Sequence, residues 1–130
     1  MSREREGSRR RRARFARIVA EALDEIPEPF RRNMKNIEIV VEDEPDARQR
    51  AENDRPEDLL GLYEGVPLTD RGLDAPLLPD KITIFRRSVE AMTSSPSEQR
   101  AIIRRTVIHE IAHHFGISDA RLHELGLGDE

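Results

Sequence analysis

Apolar side chains recur along this chain in two distinct periods. From Arg12 to Ile26, the positions Phe15, Ile18, Val19, Ala22, Leu23 and Ile26 follow helical spacing, which predicts an amphipathic helix. Pro27 and Pro29 stop it. From Asn36 to Glu42 the period changes to two: Ile37, Ile39 and Val41 alternate with Glu38 and Glu42, the mark of a strand buried on one face. Leu60 to Pro67 predicts a second strand, with Leu60 and Leu62 on its buried side. Lys81 to Arg86 predicts a third, with Ile82 and Ile84 on one face and Thr83 and Phe85 on the other. Between the first two strands, the acidic stretch Asp43 to Asp58, with Pro45 and Pro56, reads as a solvated connection long enough to hold a short helix. Thr69 to Gly72 is a turn by composition, Pro76 and Pro79 frame a loop, and Val89 to Met92 suits one helical turn.

A longer helix opens at Ser95, Pro96 and Glu98, which supply an N-cap, a first-turn proline and a capping-box carboxylate. It runs to about Phe115. Ile103, Val107, Ile108, Ile111, Ala112 and Phe115 form one apolar arc, while His109 and His113 lie on another side near Thr106. Ser118 to Leu125 predicts a last short helix, capped by Ser118 and packed through Leu122 and Leu125. The expected class is α+β: a small twisted sheet of three or four strands, mostly antiparallel. The N-terminal helix and the long helix pack on one of its faces.

Composition narrows this picture. At 130 residues the chain suits one domain, and 36% apolar against 37% charged residues leaves a small core under an ionic surface. There is no cysteine, which excludes disulfides and thiolate metal sites and suits a reducing cytoplasm. Arg17, Glu21 and Asp24 interrupt the first apolar stretch, so no signal peptide is read, and no membrane partner is expected. The expected location is cytoplasmic. Charge is uneven: residues 1–17 hold eight arginines against Glu4 and Glu6, a balance of +6 against −10 for the remainder. Residues 1–11 lack apolar side chains after Met1 and are expected to form a disordered basic arm, leaving 12–130 as the single domain. Such an arm is more often solvated or folded back on an acidic body than bound to nucleic acid. Arginine outnumbers lysine 20 to 2 throughout. A nucleic-acid partner is therefore not expected, although the arm leaves one open.

The chemistry concentrates in residues 109–119, His-Glu-Ile-Ala-His-His-Phe-Gly-Ile-Ser-Asp. His109 and His113, four apart on a helix, project from the same face, so both imidazoles can reach one metal ion. Glu110 lies beside the first of them, where a carboxylate can deprotonate a metal-bound water. Gly116 permits the left-handed turn that ends a helix and brings Asp119 back toward the histidines as a third ligand. Two histidines and one carboxylate leave a fourth tetrahedral position open, the pattern of a catalytic zinc site. His123 and Glu124 are alternative third ligands. His114 follows His113 by one residue, about 100° around the helix, and is not expected to ligate.

The segment resembles the extended H-E-x-x-H-x-x-G-x-x-[H/D] signature of zincin metallopeptidases. Together with Gly61-Leu-Tyr-Glu-Gly-Val-Pro-Leu-Thr-Asp-Arg-Gly72 and the shortness of the chain, it resembles the minimal-zincin family of small bacterial zincin-like metallopeptidases, over about residues 15 to 127. That resemblance implies a zincin-like fold, Zn2+ held by His109, His113 and Asp119, and hydrolysis of a peptide or protein with Glu110 as general base. Asp119 has the spacing of the signature, which favours it over His123 and Glu124. The resemblance also implies an edge strand that binds substrate backbone. Two features depart from larger zincins. The chain ends eleven residues after Asp119, and Met1, Met34 and Met92 all precede the site, leaving no methionine turn. These departures support an alternative: a catalytically weak or inactive zinc-stabilised module that binds a peptide or protein. Tyr63, His114, His123 and Arg121 are candidate oxyanion stabilisers.

Overall fold

The computed structural model describes residues 2–65 and 79–127. Helix α1 (Ser2–Asp24) is followed by α2 (Phe30–Asn33), strand β1 (Ile37–Glu42), α3 (Ala47–Ala51) and strand β2 (Gly61–Glu64). Strand β3 (Asp80–Phe85), α4 (Arg86–Met92), α5 (Pro96–His114) and α6 (Asp119–Glu124) complete the order. The architecture is α+β. The turn at Thr69 to Gly72, the loop from Pro76, and Val66 and Pro67 of the second predicted strand lie outside the described residues. Among the described residues, no helix is long and apolar enough to cross a membrane.

The strands form one sheet in the order β1–β3–β2. β3 pairs antiparallel with β2 but parallel with β1, so the sheet is mixed rather than mostly antiparallel. Alternation reveals which face a strand buries, but not which neighbour it takes. A parallel pair also needs a long crossover, and here the chain between β1 and β3 holds α3 and β2. As the central strand, β3 is covered on both sides: Ile82, Thr83, Ile84 and Phe85 are all buried. Ile82 and Ile84 share one core with Phe15, Ile18, Val19 and Ala22 of α1 and Ile103, Val107 and Ile111 of α5.

Helix α5 starts where its capping residues predict. The Ser95 hydroxyl accepts the Glu98 N–H at 3.2 Å, and the Glu98 carboxylate accepts the Ser94 hydroxyl at 2.5 Å. Its far end differs from expectation, because Phe115 is half exposed and stands edge-on to His114 instead of closing the apolar arc. Leu125 is exposed as well; Leu122 is buried and Leu127 packs beside the core in its place.

Helix α1 departs most. The arm of residues 1–11, expected to be disordered, is helical from Ser2 and continuous with the packed half. Arginine and glutamate are good helix formers. Once Phe15 to Ala22 are docked, adding turns avoids the cost of a new nucleus.

The acidic stretch after β1 is also more ordered than its composition suggests. The Asp46 carboxylate accepts the Gln49 N–H at 2.8 Å, and the Gln49 side chain accepts the Asp46 N–H at 2.9 Å, a capping box for α3. Gln49 is buried and donates to Glu64 of β2 at 3.0 Å, and Arg48 pairs with the same carboxylate. Glu64 and Gly61 point to opposite faces of the strand. α3 therefore holds β2 from the face away from α5.

Below the sheet, the buried Arg86 guanidinium donates to Asp43 at 2.8 Å and to Glu90 at 2.8 Å. The Arg86 hydrogen bond holds the Asp43 carboxyl below the usual carboxylate range, outweighing burial. A depressed folded-state pKa contributes stability that is present above the ordinary carboxylate value and lost as pH falls through the depressed one. Asp43→Asn should cost about 1.5–3 kcal/mol at neutral pH, the worth of a charged hydrogen bond. In urea titrations the deficit should shrink as the parent is acidified below about pH 4. A deficit constant down to pH 3 would contradict the assignment.

Candidate metal centre and its cleft

The two histidines reach one side of α5 because they are one turn apart, and the apolar arc of the same helix is spent on the core. His109 is half buried and His113 is exposed; their rings stand edge to face with centroids 6.0 Å apart. Beyond them the helix closes with a Schellman turn. The Gly116 N–H donates to the His113 carbonyl at 3.3 Å and the Ile117 N–H to the Ala112 carbonyl at 2.7 Å. Gly116 takes φ 74°, a conformation that a β-carbon disfavours. The chain then reverses into α6, where the Ser118 hydroxyl caps the Arg121 N–H at 3.1 Å and Asp119 occupies the first helical position.

This reversal brings Asp119 to His113, with Oδ1 3.6 Å from Nε2. One donor atom from each of His109, His113 and Asp119 lies within 4.8 Å of the other two. A tetrahedral zinc with bonds of about 2.0–2.2 Å spaces its donors by about 3.3–3.6 Å. Small side-chain adjustments would close that gap, and two neutral imidazoles with one carboxylate are a donor set that zinc accepts. The residues fit the ion. His123 and Glu124 do not join this cluster; Glu124 pairs with Arg121 at 2.9 Å.

The histidines open on a cleft of ≈ 410 Å³ whose walls include Leu60, Gly61, Arg105, Thr106 and Glu110. Burial pushes the Glu110 carboxyl above the ordinary carboxylate range, partly offset by His113 and by a hydrogen bond from the Tyr63 backbone N–H. That bond follows from the register of β2. The Phe85 N–H donates to the Leu60 carbonyl at 2.9 Å, so Leu60, Leu62 and Glu64 direct their backbone groups to β3. By alternation, Gly61 and Tyr63 direct theirs outward. β2 is an edge strand, and its open edge faces the cleft.

Gly61 sets how closely that edge approaches α5. A β-carbon there would lie 2.8 Å from Thr106 Cγ2 and 3.1 Å from the Thr83 carbonyl oxygen. Gly61→Ala should therefore push β2 from the helix and cost about 1–3 kcal/mol, as overpacking does. Thermal melts of the two proteins test this, and an unchanged midpoint would mean the strand has room to yield.

Tyr63 does not serve as sequence reasoning suggested. Its hydroxyl donates to Asp80 at 2.7 Å, and its ring stacks on His114 at 4.0 Å. Burial, and then the bond to Asp80, raise the phenol well above its usual range. Tyr63 reaches the site through its backbone N–H instead. His114 faces Asp80 at 3.8 Å, away from the His109–His113 pair, as its position on the helix predicts. Sequence spacing places Thr106 near the histidines; Arg105, Gly61 and Asp80 were missed as contributors. Thr106 and Arg105 carry a usable signal, lying three and four residues before His109 on the same helix face. For Asp80 and Gly61 no local pattern exists, because strand pairing alone brings them here.

No curated protein matches the chain at a significant level. The family model described as zincin-like metallopeptidase matches residues 34–128, a span that holds the sheet, the histidine helix and Asp119. On that match, this chain belongs to the zincin-like metallopeptidase family.

Proposed function

We propose that the protein is a zinc-dependent peptidase in which His109, His113 and Asp119 hold the ion and Glu110 acts as general base. One observation carries this reading: three metal-binding donors within 4.8 Å of one another, next to a half-buried carboxylate. Bound there, zinc supplies Lewis acidity to a water and to the scissile carbonyl. Glu110 takes the proton of the attacking water and hands it to the leaving amine. Its raised proton affinity suits both halves of that transfer, and the Tyr63 N–H holds its carboxylate in place. The outward N–H and C=O of Gly61 are free of the β3 ladder by register, so an extended peptide can pair with them as an added strand. The substrate class is a peptide or a protein segment in extended form. The cysteine-free composition suits the cytoplasm, where we place this activity.

The experiment is metal removal. Dialysis against a chelator should abolish cleavage of a mixed-sequence fluorogenic peptide library, and added Zn2+ should restore it. Cleavage that persists in metal-free protein would overturn the proposal.

A second reading draws on a different observation. The Tyr63 hydroxyl donates to Asp80 and the Arg121 guanidinium to Glu124, which engages two candidate oxyanion groups elsewhere. Such a site suits a zinc-stabilised module that binds peptides with slow turnover. Metal-loaded protein that retains library peptides without releasing fragments would favour it.

A further inference from the structure

We propose that the solvent-facing side of α1 from Arg5 to Arg17 is a DNA-binding surface that enters the major groove of a duplex and contacts its phosphates through two stripes of arginine. The family model's match begins at residue 34 and does not extend to α1. Packing explains the apolar side of this helix, but not its arginines.

The first observation is that most of these arginines are not spent on the protein itself: Arg12 pairs with Asp43 at 3.4 Å, and Arg11 donates to Ser8 at 3.4 Å. Among the described residues, Arg5, Arg9, Arg10, Arg14 and Arg17 are exposed and have no acidic side chain within ion-pair distance. The body that follows carries −10 against the +6 of residues 1–17, yet among the described arginines of this segment only Arg12 pairs with it. A basic segment that served only to balance the acidic body would be paired with it.

The second observation is their arrangement. Arg5, Arg9 and Arg12 are spaced i, i+4, i+7, and so are Arg10, Arg14 and Arg17. At about 100° per residue, each set forms a stripe and the two stripes lie about 140° apart around the axis. Arg5, Ser8, Arg9 and Arg12 line a shallow depression along the first stripe. A helix about 10–12 Å across fills a major groove about 12 Å wide, with a phosphate strand on each flank. Two opposed stripes match those two strands. Like charges one turn apart also weaken a helix when no anion is present, and phosphates on both flanks would remove that strain.

The third observation decides between polyanions. No apolar side chain occurs from Ser2 to Arg12, so this half of the helix has nothing to insert into a bilayer. Its charge encircles the helix instead of facing a hydrophobic stripe, which favours a groove over a membrane surface. The acidic body repels phosphate as well, confining the contact to α1.

The test uses the full chain and a fluorescein-labelled duplex of mixed sequence, read by anisotropy over a salt series. Contacts from the five arginines without an acidic partner predict that log K falls with log salt with a slope of about −4.5, with little dependence on base sequence. The variant Arg5→Gln, Arg9→Gln, Arg10→Gln, Arg14→Gln, Arg17→Gln keeps helix propensity, since glutamine and arginine rank close together. Its fold is checked by circular dichroism and thermal melting. It should lose at least about 100-fold in affinity at low salt, with a slope close to zero. A variant that binds the duplex as tightly as the parent would overturn the proposal. So would a parent that shows no salt-dependent binding, or one that binds phosphatidylserine vesicles and ignores the duplex.

Discussion

Replacing Glu110 with glutamine lowers peptide hydrolysis by about 10²–10⁴-fold and leaves zinc content unchanged. The magnitude is that of a positioned general base. The separation of the two effects follows from the geometry. Glu110 is not among the three residues whose donors converge, so the ion keeps its set. Glutamine has the same shape, and its side-chain oxygen can still accept the Tyr63 N–H, so the approach of β2 to α5 is preserved. The change also removes a carboxylate whose ionisation is opposed by burial, so the fold should not weaken. Initial rates on the peptide library, measured beside elemental analysis of the same preparation, check this. A variant that cleaves as fast as the parent would remove Glu110 from the mechanism.

The second large effect is expected at the third ligand. Asp119→Ala should weaken zinc retention by at least about 10²-fold, since changes to groups that merely support a metal ligand already cost 10–100-fold. His123→Ala should leave retention unchanged, because His123 is exposed and stands apart from the converging donors. Asp119 is also exposed, but it sits in the first turn of α6, where its Oδ1 comes within 3.6 Å of His113 Nε2. Competition against a zinc-sensitive dye separates the two variants. Equal losses in both would show that α6 presents its ligand from a different turn.

How far the sequence reveals this protein depends on the range of the interactions involved. The histidine pair, its neighbour Glu110 and the turn at Gly116 are local features, and the helical repeat places them with no knowledge of the rest of the fold. The same holds for the Ser95 and Ser118 caps. Asp119 needed one more step, the direction of the chain after Gly116, and the Schellman turn supplies it. What escaped was long-range. The parallel pairing of β1 with β3 leaves no trace in the alternation of either strand. Tyr63 looked like a side-chain participant, whereas the structure uses its backbone N–H and ties its hydroxyl to Asp80, 17 residues away. The first eleven residues looked disordered because they bury nothing. Propagation from a docked helix needs no burial, and the apolar pattern has no way to register it. Phe115 and Leu125 failed for a simpler reason: each follows a helix end, where the helical period no longer fixes direction.

The most direct test of the central claim is the zinc content of the untagged protein after equilibration with Zn2+ near neutral pH and removal of loosely held ion. The account predicts one zinc per chain, on the three donors that lie within 4.8 Å of one another. Protein that emerges from this treatment without zinc would contradict it, and with it the peptidase reading built on that site.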